Sequence, residues 1–132
     1  LHDDQPPQIL FIERCVQLLA TGGRMAIVLP ESIFGMPVYG YVVKWLLEKV
    51  RVRAFVSLPE EVFQPWTHAK TCVVFLENNT PLQTDDIEMA IADWCGHDSR
   101  GNPTIRIDES GLPYLLDDLP TIASALKNRI KW

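Results

Sequence analysis

The stretch 51-RVRAFVSLPEEVFQPWTHAKTCVVFLE-77 decides the fold. It holds two short apolar runs, RVRAFVSLP and KTCVVFLE, each with the length and β-branched or aromatic content of a strand. The segment between them is too short for a helical crossover, which predicts that the two strands are antiparallel neighbours. That segment carries Phe63, Trp66, His68 and Lys70 to the lip of the second strand. It reads either as a binding edge or as a loop packed down on the core.

Working outward, QILFIERCVQLLATGG reads as a helix, with Ile9, Ile12, Val16 and Leu19 on one stripe. Pro6 and Pro7 suit its start, and Gly22-Gly23 supplies a stop. RMAIVLP, between Gly23 and Glu31, is a continuous apolar run of the kind expected for a strand buried on both faces of a parallel sheet. ESIFGMP reads as a turn. VYGYVVKWLLEKV reads as a second helix, with Val42, Trp45, Leu46 and Val50 facing a core. Gly40 weakens its first turn.

Beyond the central stretch, IEMAIADW alternates and reads as a further strand, and CGHDSRGNP has turn chemistry. TIRI is a short strand candidate. LPTIASALKNRI is a closing helix, with Asp117 or Asp118 at its cap and Pro120 in its first turn.

The order is α-β-α-β-β-β-α, which is an α/β class: part of a Rossmann-like sheet, parallel strands with an antiparallel hairpin edge. Right-handed crossovers place the first two helices on one face of the sheet. The other face of Met25–Leu29 then lacks a cover. The expectation is a single domain that is half of a larger doubly wound one, with residues 1–83 as the half-sheet and 84–132 as an added strand, loop and helix. Such a piece should self-associate or fold its C-terminal segment over the bare face.

Of the 132 residues, 47% are hydrophobic, enough for a core, and the net charge of −5 argues against DNA binding by charge alone. No apolar run reaches the roughly 18 residues of a membrane span. The opening LHDDQPPQ is polar, lacks an initiator Met and does not resemble a signal peptide; Asp3 and Asp4 read as solvated leader residues. Cys15, Cys72 and Cys95 show no disulfide or metal spacing. Cys15 and Cys72 read as small buried hydrophobes. The expected compartment is the cytoplasm.

Cys95, His97 and Asp98 lie close in sequence but have no second ligand pair, so a turn in which Asp98 and Ser99 satisfy backbone N–H groups is preferred to a metal site. Pro30 and Glu31 follow a strand at its carboxyl end, where α/β folds place ligands. They read either as a pocket edge or as a plain strand ending. His68 and Lys70 read as phosphate contacts or as a solvated rim, and Trp66 as a nucleic-acid or subunit contact or as loop packing.

In order, LFIERCVQLLATGGRMAIVLPESIF, SLPEEVFQP, AKTCVVFLE, AIADWCGHDSRGNP and DDLPTI resemble the N6-adenine DNA methyltransferases. More narrowly they resemble the modification subunit of type I restriction–modification systems. The resemblance implies a Rossmann-like fold, S-adenosylmethionine as methyl donor and adenine in DNA as acceptor. It implies a specificity subunit, a second methylase copy and a nuclease subunit as partners.

The family's glycine-rich cofactor loop and its Asn-Pro-Pro-Phe/Tyr motif are not in this sequence; the Asn-Pro at Asn102-Pro103 is followed by Thr104. The resemblance therefore places the chain after the catalytic motif, with no catalytic residue of its own and no methyl transfer expected from it alone. It also points to Phe63 as the aromatic that stacks on a flipped base, the other reading being a ring that pins the loop. Two alternatives stay open: a noncatalytic dimerisation or interaction module, and a different Rossmann-like methyltransferase.

Overall fold

The computed structural model describes residues 4–79, 86–130 and 132. The boundary drawn at 83/84, and Asp3 in the leader, lie outside them. Helix α1 (Pro7–Leu18) buries Ile9, Ile12 and Val16, the stripe the sequence shows. Leu19 has already left the helix, and the Asn78 side-chain amide donates to its carbonyl at 2.6 Å. Gly22 turns the chain at φ +74, a conformation that suits glycine, and its N–H donates to the Asn78 carbonyl.

Strand β1 (Arg24–Pro30) follows, then a short helix α2 (Ser32–Gly35) and a 3-10 turn (Pro37–Tyr39) where the sequence suggested only a turn. Helix α3 (Gly40–Lys49) leads to β2 (Arg51–Ser57), then a 3-10 turn (Glu60–Phe63) and β3 (Thr71–Glu77). Next come β4 (Glu88–Ile91), the small hairpin β5 (Ile105–Ile107) and β6 (Pro113–Leu115), and helix α4 (Leu119–Arg129). Strand β6 has no expectation in the sequence reading; its residues PYL are all exposed and give no periodic signal.

The main sheet has the order β1-β3-β2-β4. β3 runs antiparallel to β2, as the short connection predicts, and β4 pairs with β2 in parallel. Two expectations are corrected. β3 is not an edge hairpin strand: it sits between β1 and β2, antiparallel to both. And β1 is not buried on both faces in a parallel neighbourhood. Its sole pairing among the described residues is with β3. Met25, Ile27 and Leu29 turn toward the helices while Ala26 and Val28 are exposed. The crossover from β1 through α3 leaves one strand-width open before β2. The apolar TCVVFLE run fills it, and so takes the central place its composition suits.

One core packs α1 and α3 against the first face, joining Ile9, Ile12, Val42, Leu46, Val52, Cys72, Val74 and Leu76. The second core lies on the opposite face, where Leu126, with Leu119, Ile122 and Ile130 around it, covers Ala54, Val56 and Leu58. The C-terminal segment thus provides a cover, although it leaves Ala26 and Val28 bare.

A register shift between Val52 and Ala54 makes Arg53 an extra residue in β2. The shift sends Val52 and Phe55 to the first core and Ala54 and Val56 to the second. It also lets the Arg53 guanidinium grip Glu77 at 2.6 and 2.8 Å, compensating a carboxylate that is 5% exposed.

Asp118 stands at the start of α4, but its carboxylate accepts the N–H groups of Asp93 and Trp94, both at 2.9 Å. Asp117 accepts the Leu119 N–H instead. The cap residue is therefore spent on tying α4 to the end of the β4 segment.

Leu126 is the buried anchor of the second core. Leu126→Ala should lower unfolding free energy by about 2 kcal/mol or more, read by urea denaturation. An exposed neighbour such as Asn128→Ala should change it by less than about 0.5 kcal/mol.

Candidate functional site

Because β3 runs against β1 and β2, its first residue lies at their carboxyl ends. Three segments meet there. The Glu31 N–H donates to the Lys70 carbonyl at 2.9 Å, and the Leu58 N–H to the Thr71 carbonyl at 2.9 Å. The Ser57 hydroxyl donates to the Glu31 carboxylate at 2.8 Å, a contact between residues too far apart in sequence to be foreseen. The Ala92 N–H donates to the Ser57 carbonyl, bringing the end of the β4 segment to the same rim.

The loop from β2 to β3 begins and ends at this rim. The Phe63 carbonyl accepts the N–H groups of Trp66 at 3.0 Å and Thr67 at 3.1 Å, making one tight turn. Thr67 in turn accepts the Ala69 N–H at 3.1 Å. Phe63 is 37% exposed, neither packed away nor free. His68 is exposed, while Lys70 is half-buried and lines a polar recess of about 220 Å³ with Glu60, Glu61 and Asp93. Pro30, Glu31 and Lys70 are thus drawn together by backbone pairing. Phe63 and Trp66 share a turn, and His68 stands apart.

A neighbouring cavity of about 230 Å³ holds Cys95, His97 and Asp98 with Glu61 and Asp93. Cys95 Sγ lies 3.7 Å from His97 Nε2. The Asp98 carboxylate accepts the N–H groups of Arg100 and Asn102 and the Asn102 side chain, which hold its pKa below the ordinary value. It is committed to the turn, as the sequence reading prefers. Burial pushes the Cys95 thiol up, so it is not an activated nucleophile. A further cavity of about 370 Å³ lies beneath α3 and is almost wholly apolar, with Glu31 the one carboxylate among its described lining residues.

Two buried groups near the rim were read only in part from sequence. Cys72 is fully buried, and burial, with the Glu31 carboxylate second, pushes its thiol up to about 12. Cys15, expected to be equally buried, is only half-buried. Thr71 is 7% exposed and its hydroxyl has no hydrogen-bond partner among the described residues.

The mixed sheet, with an antiparallel strand set between two parallel ones and helices on its faces, has a counterpart among solved structures. The chain superimposes on a protein described as a class I S-adenosylmethionine-dependent methyltransferase from Listeria monocytogenes with a TM-score of 0.64, at 19% identity, over 93% of this chain and 32% of that one. Residues 1–100 match the N-6 DNA Methylase family model, and the chain belongs to that family.

Among its relatives, the methylase subunit of the type I restriction enzyme EcoEI from Escherichia coli is 37% identical over 75 residues, 56% of this chain and 15% of that subunit. A chain from a solved type I restriction–modification complex gives a TM-score of 0.62 at 27% identity, over 78% of this chain and 22% of that one. The chain thus spans between about a seventh and a third of the length of these proteins.

No helix of the described residues is long and apolar enough to cross a membrane.

Two outcomes follow from the buried groups. In the folded chain Cys72 should stay unreactive toward dithionitrobenzoate at pH 8 while Cys15 and Cys95 react, and denaturant should release the third thiol. Its folded pKa lies above the ordinary 9.0, so stability should fall as pH rises past that value, where only the unfolded thiol ionises. Thr71→Val removes an unpaired buried hydroxyl and should raise stability by about 1 kcal/mol in the same denaturation assay.

Proposed function

We propose that this chain forms the target-base side of an adenine-N6 DNA methyltransferase domain, in a modification subunit of a type I restriction–modification system. The observation that carries the reading is the return of the Phe63 loop to the carboxyl edge of β1 and β2, beside Glu31 and Lys70. Methylating an exocyclic amine requires the base out of the duplex, and a flat ring at the rim offers it a stacking surface. The half-exposed Phe63 fits this role better than that of a core pin.

S-adenosylmethionine would be the methyl donor of the whole domain. The residues present do not fit it. The sequence has no glycine-rich turn after a strand, and Gly22 and Gly23 spend their backbone groups on Asn78. The chain also lacks the Asn-Pro-Pro motif, so no methyl-transfer step is assigned to its residues. Residues 1–83 then supply the second half of the methyltransferase sheet, and 84–132 its edge strand and cover. Exposed Val28 on β1, a strand paired among the described residues only with β3, supports a sheet that continues in another segment or copy. Specificity and nuclease subunits are the proposed partners and the cytoplasm the proposed compartment. The acidic charge supports leaving sequence reading to another subunit. Pro30 would frame the base pocket, with Lys70 and His68 as polar DNA or pocket contacts on its rim.

The test has two arms. Incubated with labelled S-adenosylmethionine and DNA, the chain should transfer no methyl group; measurable transfer would overturn the assignment. Titrated with hexadeoxyadenylate, it should show a saturable shift of the Phe63 ring resonances, and Phe63→Ala should weaken binding about 5- to 150-fold. Unchanged binding in that variant would return Phe63 to a packing role.

A further inference from the structure

Trp66 is 92% exposed. Tryptophan is usually well covered in folded chains, so a ring left in water calls for a cause. It is not on a loose end. The Gln64 N–H donates to the Glu61 carbonyl, the Trp66 and Thr67 N–H groups to the Phe63 carbonyl, and the Ala69 N–H to the Thr67 hydroxyl. An ordered turn therefore holds the indole out from the rim, three residues from Phe63.

Its loop neighbours decide between two kinds of partner. Gln64, Thr67, His68 and Lys70 are polar, and Phe63 is the one other exposed aromatic of the turn. A protein-docking surface gathers contiguous apolar area. A single ring bordered by hydrogen-bond donors is instead how unpaired nucleobases are bound, since every base has a π-face to stack. The chain's net charge of −5 means such binding would rest on the ring and not on phosphate neutralisation.

We infer that Trp66 is a second stacking platform, taking an unstacked base next to the one that Phe63 receives. This rests on the reading of the Phe63 loop as a nucleobase rim. Turning one base out of a duplex uncovers the faces of its neighbours, and an aromatic ring laid against such a face offsets part of the lost stacking. Because one turn carries both rings, the spacing of the two platforms is set by the backbone.

The experiment is a proton–nitrogen NMR titration of the 132-residue chain with hexadeoxyadenylate and, separately, with a fully paired hairpin duplex. The Trp66 indole N–H is identified by its loss in Trp66→Phe. It should shift saturably with the single strand and much less with the duplex. Trp66→Ala should weaken single-strand binding about 5- to 150-fold, and the fold should be untouched because the ring is exposed. Affinity should change little between about 50 and 200 mM salt, whereas phosphate-driven binding falls steeply.

If Phe63 resonances shift while Trp66 stays still and Trp66→Ala binds normally, this inference is overturned and the Phe63 reading stands. If neither responds, both are overturned. A steep salt dependence, or an indole shift that follows protein concentration without DNA, also overturns it, the latter by assigning the ring to a protein contact.

Discussion

The structure depends on one strand-width gap. The crossover from β1 through α3 to β2 leaves a vacancy in the sheet, and β3 fills it from the opposite direction. Antiparallel insertion has a geometric consequence. The start of β3 must lie at the carboxyl ends of β1 and β2, so the loop feeding it must return to that edge. Phe63, Trp66 and Lys70 stand at the rim because of this reversal. A parallel third strand would have sent the same loop to the far end of the sheet.

Filling the gap also divides the interior. Cys72, Val74 and Leu76 on one side of β3 meet α1 and α3, while Val73 and Phe75 on the other side meet the α4 layer. The extra residue Arg53 keeps β2 in step with both cores and neutralises Glu77 where β3 ends. A carboxylate so buried is tolerable only with a partner of this geometry, and breaking such a pair costs more than the pair contributes. The register of the central strands and the position of that ion pair therefore depend on each other.

At the rim the chemistry is that of recognition. The Glu31 carboxylate is held by Ser57, Asp98 is spent on its own turn, and the thiols of buried Cys72 and half-buried Cys95 are pushed away from ionisation. What remains to meet a ligand is aromatic surface and a few hydrogen-bonding groups. In a chain of net charge −5, this supports the proposal of a module that receives a base already displaced from its duplex.

By itself the sequence determined the helices, whose stripes of Ile9, Ile12 and Val16 or Val42 and Leu46 are buried as their period requires. It determined the antiparallel pairing of β2 with β3, because a short connection allows little else. It also determined the family, through residues that keep their order along the chain. Only the tertiary structure decided that β3 is central, that β1 keeps one face bare, and that Glu31 meets Ser57. Those facts come from which strands become neighbours, a choice made by the competition of apolar surfaces across the whole fold. Local pattern carries the period of a segment but not the identity of what packs against it. For that reason Trp66 reads the same in sequence whether it is packed or displayed, and only the turn that holds it outward separates the two.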